Sequence, residues 1–167
     1  LYAGYVKFAN YIVTKITELS ADAEKNAYEI AELQRRFAFE HDGMKNHEMY
    51  FSQFEGGPHT PTAHGAFMTQ VEKDFGSWDA FMARLKAVCM TRGVGWAMLY
   101  YCRDTGHLLT QWVDEQHLGH LAGPKLILAI DMWEHSYVAD YQPSGKKQYV
   151  DDFFANLNWQ KIEERFA

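Results

Sequence analysis

The segment Leu126-Ile127-Leu128-Ala129-Ile130-Asp131-Met132-Trp133-Glu134-His135 puts a carboxylate at the end of an apolar run and an imidazole four residues later. An oxygen donor and a nitrogen donor placed where the backbone changes direction can converge on one transition-metal ion. The same pair also reads without a metal, Asp131 capping the next helix and His135 satisfied by a neighbour on it. Of the eight histidines, only His47 falls on the inward face of a strong helical pattern, among Phe37, Tyr50, Phe51 and Phe54. It is either a third donor or a core histidine held by a carbonyl. His47-Glu48-Met49-Tyr50-Phe51 approaches a zinc-protease helix, but its fifth position is Phe51 and not histidine. The Glu-x-x-His element of helical di-iron bundles is absent too, because Glu48 and Glu134 are followed three residues on by Phe51 and Tyr137. Serine-nucleophile motifs and phosphate-cradling glycine loops do not occur.

The elements that must position these groups follow from periodicity. Tyr5, Phe8, Ala9, Ile12, Ile16 and Leu19 recur at three- and four-residue spacing, which predicts an amphipathic helix. Ser20 is the expected N-cap of a second, longer helix reaching Phe54 with a kink at Asp42-Gly43, the two forming an antiparallel pair. Gly56-Gly57-Pro58-His59-Thr60-Pro61 is the densest run of breakers and sets the expected boundary between an N-terminal helical hairpin domain, 1–56, and a C-terminal α+β domain, 57–167. In the second part, helices are expected from Phe67 to Phe75 and, capped by Ser77, from Trp78 to Cys89. Trp96–Cys102 and His107–Val113 flank the turn chemistry of Arg103-Asp104-Thr105-Gly106 and predict a β-hairpin. Lys125–Ile130 suits a third, buried strand, and Tyr149–Phe166 is again helical. The fold class is α+β, with an N-terminal antiparallel helical hairpin packed on a C-terminal domain of helices around a small three-stranded antiparallel sheet.

Asp131-Met132-Trp133-Glu134-His135-Ser136-Tyr137 resembles the D-x-W-E-H-[AS]-Y signature of the iron/manganese superoxide dismutases. Further pieces agree in order. Ala3-Gly4-Tyr5-Val6 resembles the family's A-x-Y-V, and Asn46-His47 with Tyr50-Phe51 resembles its N-H-x-x-[FY]-[FW]. Gly95-Trp96-Ala97 resembles its G-W-x-W-L strand, and Asn158-Trp159 its V-N-W. The resemblance spans essentially the whole chain. It implies one iron or manganese ion per subunit, with His47, Asp131 and His135 as ligands, and conversion of superoxide to hydrogen peroxide and dioxygen. It puts Tyr5 at the mouth of the substrate funnel and Trp96 and Trp133 in its walls. Gln116, fifteen residues before Asp131, falls where the family has a Gln or His that hydrogen-bonds metal-bound solvent, and the adjacent His117 is the alternative. Some iron enzymes supply that Gln four residues before the second-helix ligand, where this chain has Gly43. Glu134 beside His135 matches the family's cross-dimer pair and implies a homodimer.

The resemblance also exposes departures. The family's first His ligand lies about one helical turn before the position of Leu1, so either an upstream segment supplies it, which is the expectation, or the site is degenerate. Leu1 and Val138 stand where many members have a funnel His and the Tyr that reaches it across the dimer. Losing both ends of a buried hydrogen bond is nearly neutral, so a more apolar outer funnel is expected.

Composition narrows the remaining classes. With 167 residues, 47% hydrophobic and 16% aromatic, the chain can bury a substantial core. Sixteen Lys and Arg against twenty-two Asp and Glu give a net charge of -6, which argues against nucleic acid as a partner. No stretch has the roughly 20 apolar residues of a membrane span. Cys89 and Cys102 form no disulfide framework, as expected for a cytoplasmic protein, with a targeting segment left open. The alternatives to a superoxide dismutase are a non-catalytic structural subunit of the same fold and a fold relative with other metal-oxygen chemistry.

Overall fold

A computed structural model describes residues 1–167. The chain divides by its contacts into two units, Leu1–Glu48 and Met49–Ala167. The division falls inside one continuous helix.

The first unit is a helical hairpin. Helix α1 runs Tyr2–Leu19 and α2 runs Ala27–Ser52, of which the part up to Glu48 belongs to this unit. Tyr5, Ala9 and Ile12 are the buried stripe of α1. The start of α1 meets the end of this unit: the Tyr2 hydroxyl donates to Glu48 at 3.0 Å, and the Tyr5 ring lies 6.0 Å from Phe39. Leu19 and Lys15 share a groove with Tyr28 and Glu32 at the opposite end, so the pair is antiparallel. Ser20 does not cap α2. Its hydroxyl donates back to the Ile16 carbonyl at 2.7 Å, and its αR backbone continues α1 into a short 3₁₀ turn, Ser20–Asp22. Helix α2 therefore starts at Ala27, after Asn26 has donated its side chain to the Leu19 carbonyl. The helix is unbroken at Asp42-Gly43 and ends at Ser52, two residues before Phe54.

The second unit holds the last turn of α2, helices α3 (Ala66–Phe75) and α4 (Trp78–Cys89), strands β1 (Gly95–Cys102), β2 (His107–Asp114) and β3 (Lys125–Asp131), and helices α5 (Val138–Tyr141), α6 (Lys146–Asn156) and α7 (Trp159–Phe166). The Ser77 hydroxyl accepts from the Ala80 amide and caps α4 as its sequence suggests. The C-terminal helical stretch is two helices and not one, because Leu157 is extended and Asn158 caps α7 by accepting from Gln160. The same Asn158 donates to the Glu55 carbonyl, and His59 exchanges backbone bonds with Leu157 and Trp159, so the Gly56–Pro61 breakers are stitched into this unit.

The sheet is antiparallel, in the order β2-β1-β3. As the central strand, β1 buries both faces. Trp96, Met98 and Tyr100 point into one apolar cluster with Val113 and Ala129, while Ala97 and Leu99 point into the other with Phe81, Leu85, Leu128 and Ile130. Gly95 opens β1 opposite Asp114, and a Cβ there would overlap the Val113 carbonyl oxygen, so only glycine lets the two strands close at this end. Burial pushes the thiol of Cys89, on α4, up to about 12.

Asp74 ties α3 to the hairpin. Its carboxylate accepts from the Leu108 amide at 2.7 Å, from Gln70 at 2.6 Å and from His107 at 2.7 Å. Burial alone would raise its pKa, but these bonds outweigh burial and hold it below the ordinary carboxylate value. A depressed carboxylate stabilises the fold above the unfolded-state pKa of about 3.9 and loses that contribution as pH falls through the folded-state value. Asp74→Asn is therefore expected to lower the urea midpoint at pH 7, with the difference from wild type closing below about pH 4. An unchanged midpoint at pH 7 would remove Asp74 as the latch.

Candidate metal centre

Strand register brings the first group of site residues together in the second unit. Trp96 pairs directly with Asp131 across β1 and β3, so the two side chains emerge from the same face of the sheet. One residue beyond β3, the Met132 amide still donates to the Gly95 carbonyl at 2.9 Å, and the chain then turns sharply. The Asp131 carboxylate governs that turn. Its Oδ1 accepts from the Trp133 amide at 3.0 Å, while its Oδ2 lies 3.2 Å from Nε2 of His135 on the 3₁₀ turn Glu134–Ser136. Asp131 does not cap that 3₁₀ turn, whose N-cap is Trp133; its bond to the Trp133 amide and its approach to His135 use different oxygens of one carboxylate.

That separation fits a shared small cation, since bonds of about 2 Å at near-right angles leave two donors about 3 Å apart. Asp131 is 3% exposed, whereas the His135 side chain keeps 27% of its surface. The Tyr149 hydroxyl donates to the Asp131 carbonyl at 2.8 Å, and the Tyr50 hydroxyl lies 3.2 Å from that of Tyr149. Burial drives the Tyr149 hydroxyl far above its ordinary value, so it remains protonated as a donor.

Gln116 lies just beyond β2, where Glu115 takes a left-handed backbone (φ 51) and turns it inward. It is fully buried, and its Oε1 accepts from Trp96 Nε1 at 2.9 Å. With the oxygen oriented toward the indole, the NH₂ end of the amide faces the other way. Trp133 donates its indole N–H to the Glu115 carbonyl at 3.1 Å and stacks on His135 with ring centres 5.7 Å apart. His117 is only partly buried.

The first unit brings Tyr5 and His47 together. Their rings are 5.3 Å apart, and His47 is 4% exposed. His47 Nδ1 lies 2.6 Å from the Gly43 carbonyl one turn earlier. A carbonyl can only accept, so Nδ1 carries the proton and Nε2 the lone pair, which is the tautomer a metal ligand needs. Gly43 has a second task. A Cβ there would come within 2.6 and 2.7 Å of two Tyr5 ring carbons, so the missing side chain is the space in which the Tyr5 ring lies. Leu1, Phe8, Arg36, Phe39 and Glu40 border the open groove of about 310 Å³ onto which Tyr5 faces.

Residues 63–165 match the model of the iron/manganese superoxide dismutase C-terminal domain. The chain belongs to the iron/manganese superoxide dismutase family. It is 36% identical over 99% of its length to a protein of Cupriavidus metallidurans named Superoxide dismutase [Fe], covering 82% of that protein. It is 34% identical to the Superoxide dismutase [Fe] of Aquifex pyrophilus, covering 78% of it, and 32% identical to the Superoxide dismutase [Mn] of Mycolicibacterium smegmatis, covering 79%, in each case over 99% of this chain. Iron- and manganese-named members thus stand at similar distance.

Some residues of this family member's site carry no local signal in the sequence. Tyr149, Tyr50 and Gln53, which bonds the Ala129 carbonyl at 2.7 Å from full burial, all act across long separations. Tyr149 and Gln53 read in sequence as ordinary helical positions, whereas Tyr50 falls in the motif that begins at Asn46-His47.

Alanine in place of Gly43 would raise helix propensity by about 1 kcal/mol. Displacing a buried ring costs about 1–3 kcal/mol and dominates. Gly43→Ala is expected to lower the melting temperature by about 2–4 °C and to displace Tyr5. A melting temperature above wild type would mean that the ring has room to move.

Proposed function

We propose that His47, Asp131 and His135 hold the redox metal of this superoxide dismutase, each giving one donor atom. Bound there, iron or manganese supplies one-electron exchange, so that two superoxide ions and two protons become one dioxygen and one hydrogen peroxide. The observation that carries the assignment is the donor set itself: a carboxylate oxygen and two imidazole nitrogens, with the His47 tautomer set by the Gly43 carbonyl. Trp133 holds one Asp131 oxygen so that the other faces His135. The negative carboxylate lowers the net charge of the centre and favours the higher oxidation state.

Gln116 and Tyr5 are assigned to the solvent and proton side of the reaction. The Gln116 amide, oriented by Trp96, presents N–H donors, and the Tyr5 phenol is a hydroxyl that can both give and accept a proton-bearing bond. Small movements of the amide retune the potential by changing which oxidation state its hydrogen bond favours. Substrate attraction comes from local charge, since the chain as a whole carries -6.

We further infer a homodimer built through Glu134 and His135, both exposed on one short turn of the single chain. A cytoplasmic location is supported by the two cysteines, which are free thiols. No helix is long and apolar enough to cross a membrane.

Elemental analysis and a superoxide-consumption assay on the full-length protein test the assignment. One iron or manganese per subunit is expected, and His47→Ala, Asp131→Ala and His135→Ala should each lower metal content and reduce consumption at least about 100-fold. Full metal loading and rate in any one of them would remove that residue from the ligand set. Glu134→Ala is expected to shift the protein toward the monomer in sedimentation, and an unchanged dimer would place the interface elsewhere.

A further inference from the structure

We propose that Tyr100 and His120 act as a positioning pair that sets the Gln116 amide through its backbone, an inference that rests on the role assigned above to Gln116. His120 Nε2 lies 3.2 Å from the Gln116 carbonyl oxygen, and its Nδ1 lies 2.6 Å from the Tyr100 hydroxyl. The carbonyl can only accept, so Nε2 carries the hydrogen, and the neutral ring then offers a lone pair at Nδ1. The Tyr100 hydroxyl donates to that lone pair. Met98 Sδ, 3.1 Å from the same hydroxyl, is a weaker acceptor and does not compete for its single proton. The hydrogen bonds therefore run in one direction, from Tyr100 through His120 to the Gln116 carbonyl, and each polarises the next.

The pair starts from a rigid platform. Tyr100 is 2% exposed on the central strand, where it pairs with Leu109 on one side and Leu126 on the other. The segment it reaches is a short loop closed by the Asp114–Leu118 backbone pair and tied to Val94 through the Glu115 amide. Leu118 is 52% exposed, and Gly119 has a positive φ of 105. Trp133 holds the Glu115 carbonyl on one side of Gln116, and His120 holds the Gln116 carbonyl on the other. Together with the Trp96 bond to Oε1, these anchors leave the amide nitrogen a single direction. Without His120 the following carbonyl loses its partner, and the amide can rotate about the remaining two anchors.

The test uses the full-length metal-loaded enzyme and reads metal content, turnover and the midpoint potential of the metal. Tyr100→Phe keeps the buried ring and removes only the hydroxyl, so it tests the pair even where His120→Ala fails to fold. Both variants are expected to load metal normally, to turn over about three- to tenfold more slowly, and to displace the potential in the same direction as Gln116→Ala. His120→Gln, which retains an N–H donor near the Nε2 position, should recover most of the loss. Adding His120→Ala to Gln116→Ala should displace the potential no further. If Gln116→Ala moves the potential while Tyr100→Phe and His120→Ala leave it at the wild-type value, the positioning pair is overturned and Gln116 keeps its role. If Gln116→Ala itself leaves the potential unmoved, the role of Gln116 falls and the pair with it.

Discussion

The register of β1 against its two neighbours is the constraint from which the placement of Trp96, Gln116 and Asp131 in the second unit follows. Trp96 lies opposite Asp131 on one side and Val113 on the other, so a single residue links the carboxylate to the segment that carries Gln116. A one-residue slip would turn every β1 side chain to the opposite face, sending Trp96 into the cluster of Ala97 and Leu99. The slip is costly because both faces of β1 are already filled with apolar side chains of different size. Gly95 reinforces the register at the end that matters, since its backbone must pass against Val113 and also accept from Met132.

Burying the polar groups of this region without loss of stability requires that each have a partner, because an unsatisfied buried donor or acceptor costs about 1–3 kcal/mol. The second unit meets that requirement with long-range side-chain bonds to backbone. Gln53 serves the Ala129 carbonyl, Tyr149 serves the Asp131 carbonyl, and Arg165 reaches the Ile127 carbonyl at 3.1 Å. Strand β3 is thus an edge strand whose free side is occupied by side chains from helices distant in sequence. This accounts for the burial of five successive residues at its end, Ile127 through Asp131, in a strand with only one sheet neighbour.

Much of this was legible in the residue order. The three strands, the Ser77 cap and the Asp131–His135 pair each depend on local chemistry: apolar runs bounded by turn residues, a hydroxyl ahead of a helix, donors four residues apart. The misreadings have other causes. Ser20 has the type of an N-cap, but whether a serine opens the next helix or closes the previous one depends on its backbone, which here stays helical and directs the hydroxyl to Ile16. The break at Leu157-Asn158 is hidden because Phe153, Leu157 and Ile162 are buried on both sides of it, and apolar spacing alone cannot distinguish one helix from two. Tyr149 and Gln53 carry no signal in the sequence for a further reason. Their partners are 18 to 99 residues away, so nothing within a local window marks them.

The two units use the same device on different side chains. In the first, a helix carbonyl sets the proton on His47 Nδ1 and thereby leaves the lone pair on Nε2. In the second, a backbone amide takes one oxygen of Asp131 and leaves the other facing His135. Backbone groups cannot be removed by mutation, and they move only when the element that carries them moves. A centre oriented in this way tolerates variation of surface side chains and is sensitive where backbone paths are tight, at Gly43 beneath Tyr5 and at Gly95 against Val113. One buried polar group is instead oriented mainly by side chains. Gln116 takes its direction from Trp96, Trp133 and His120, so substitution of an indole or an imidazole can turn its amide while the backbone bonds that orient His47 and Asp131 stay in place.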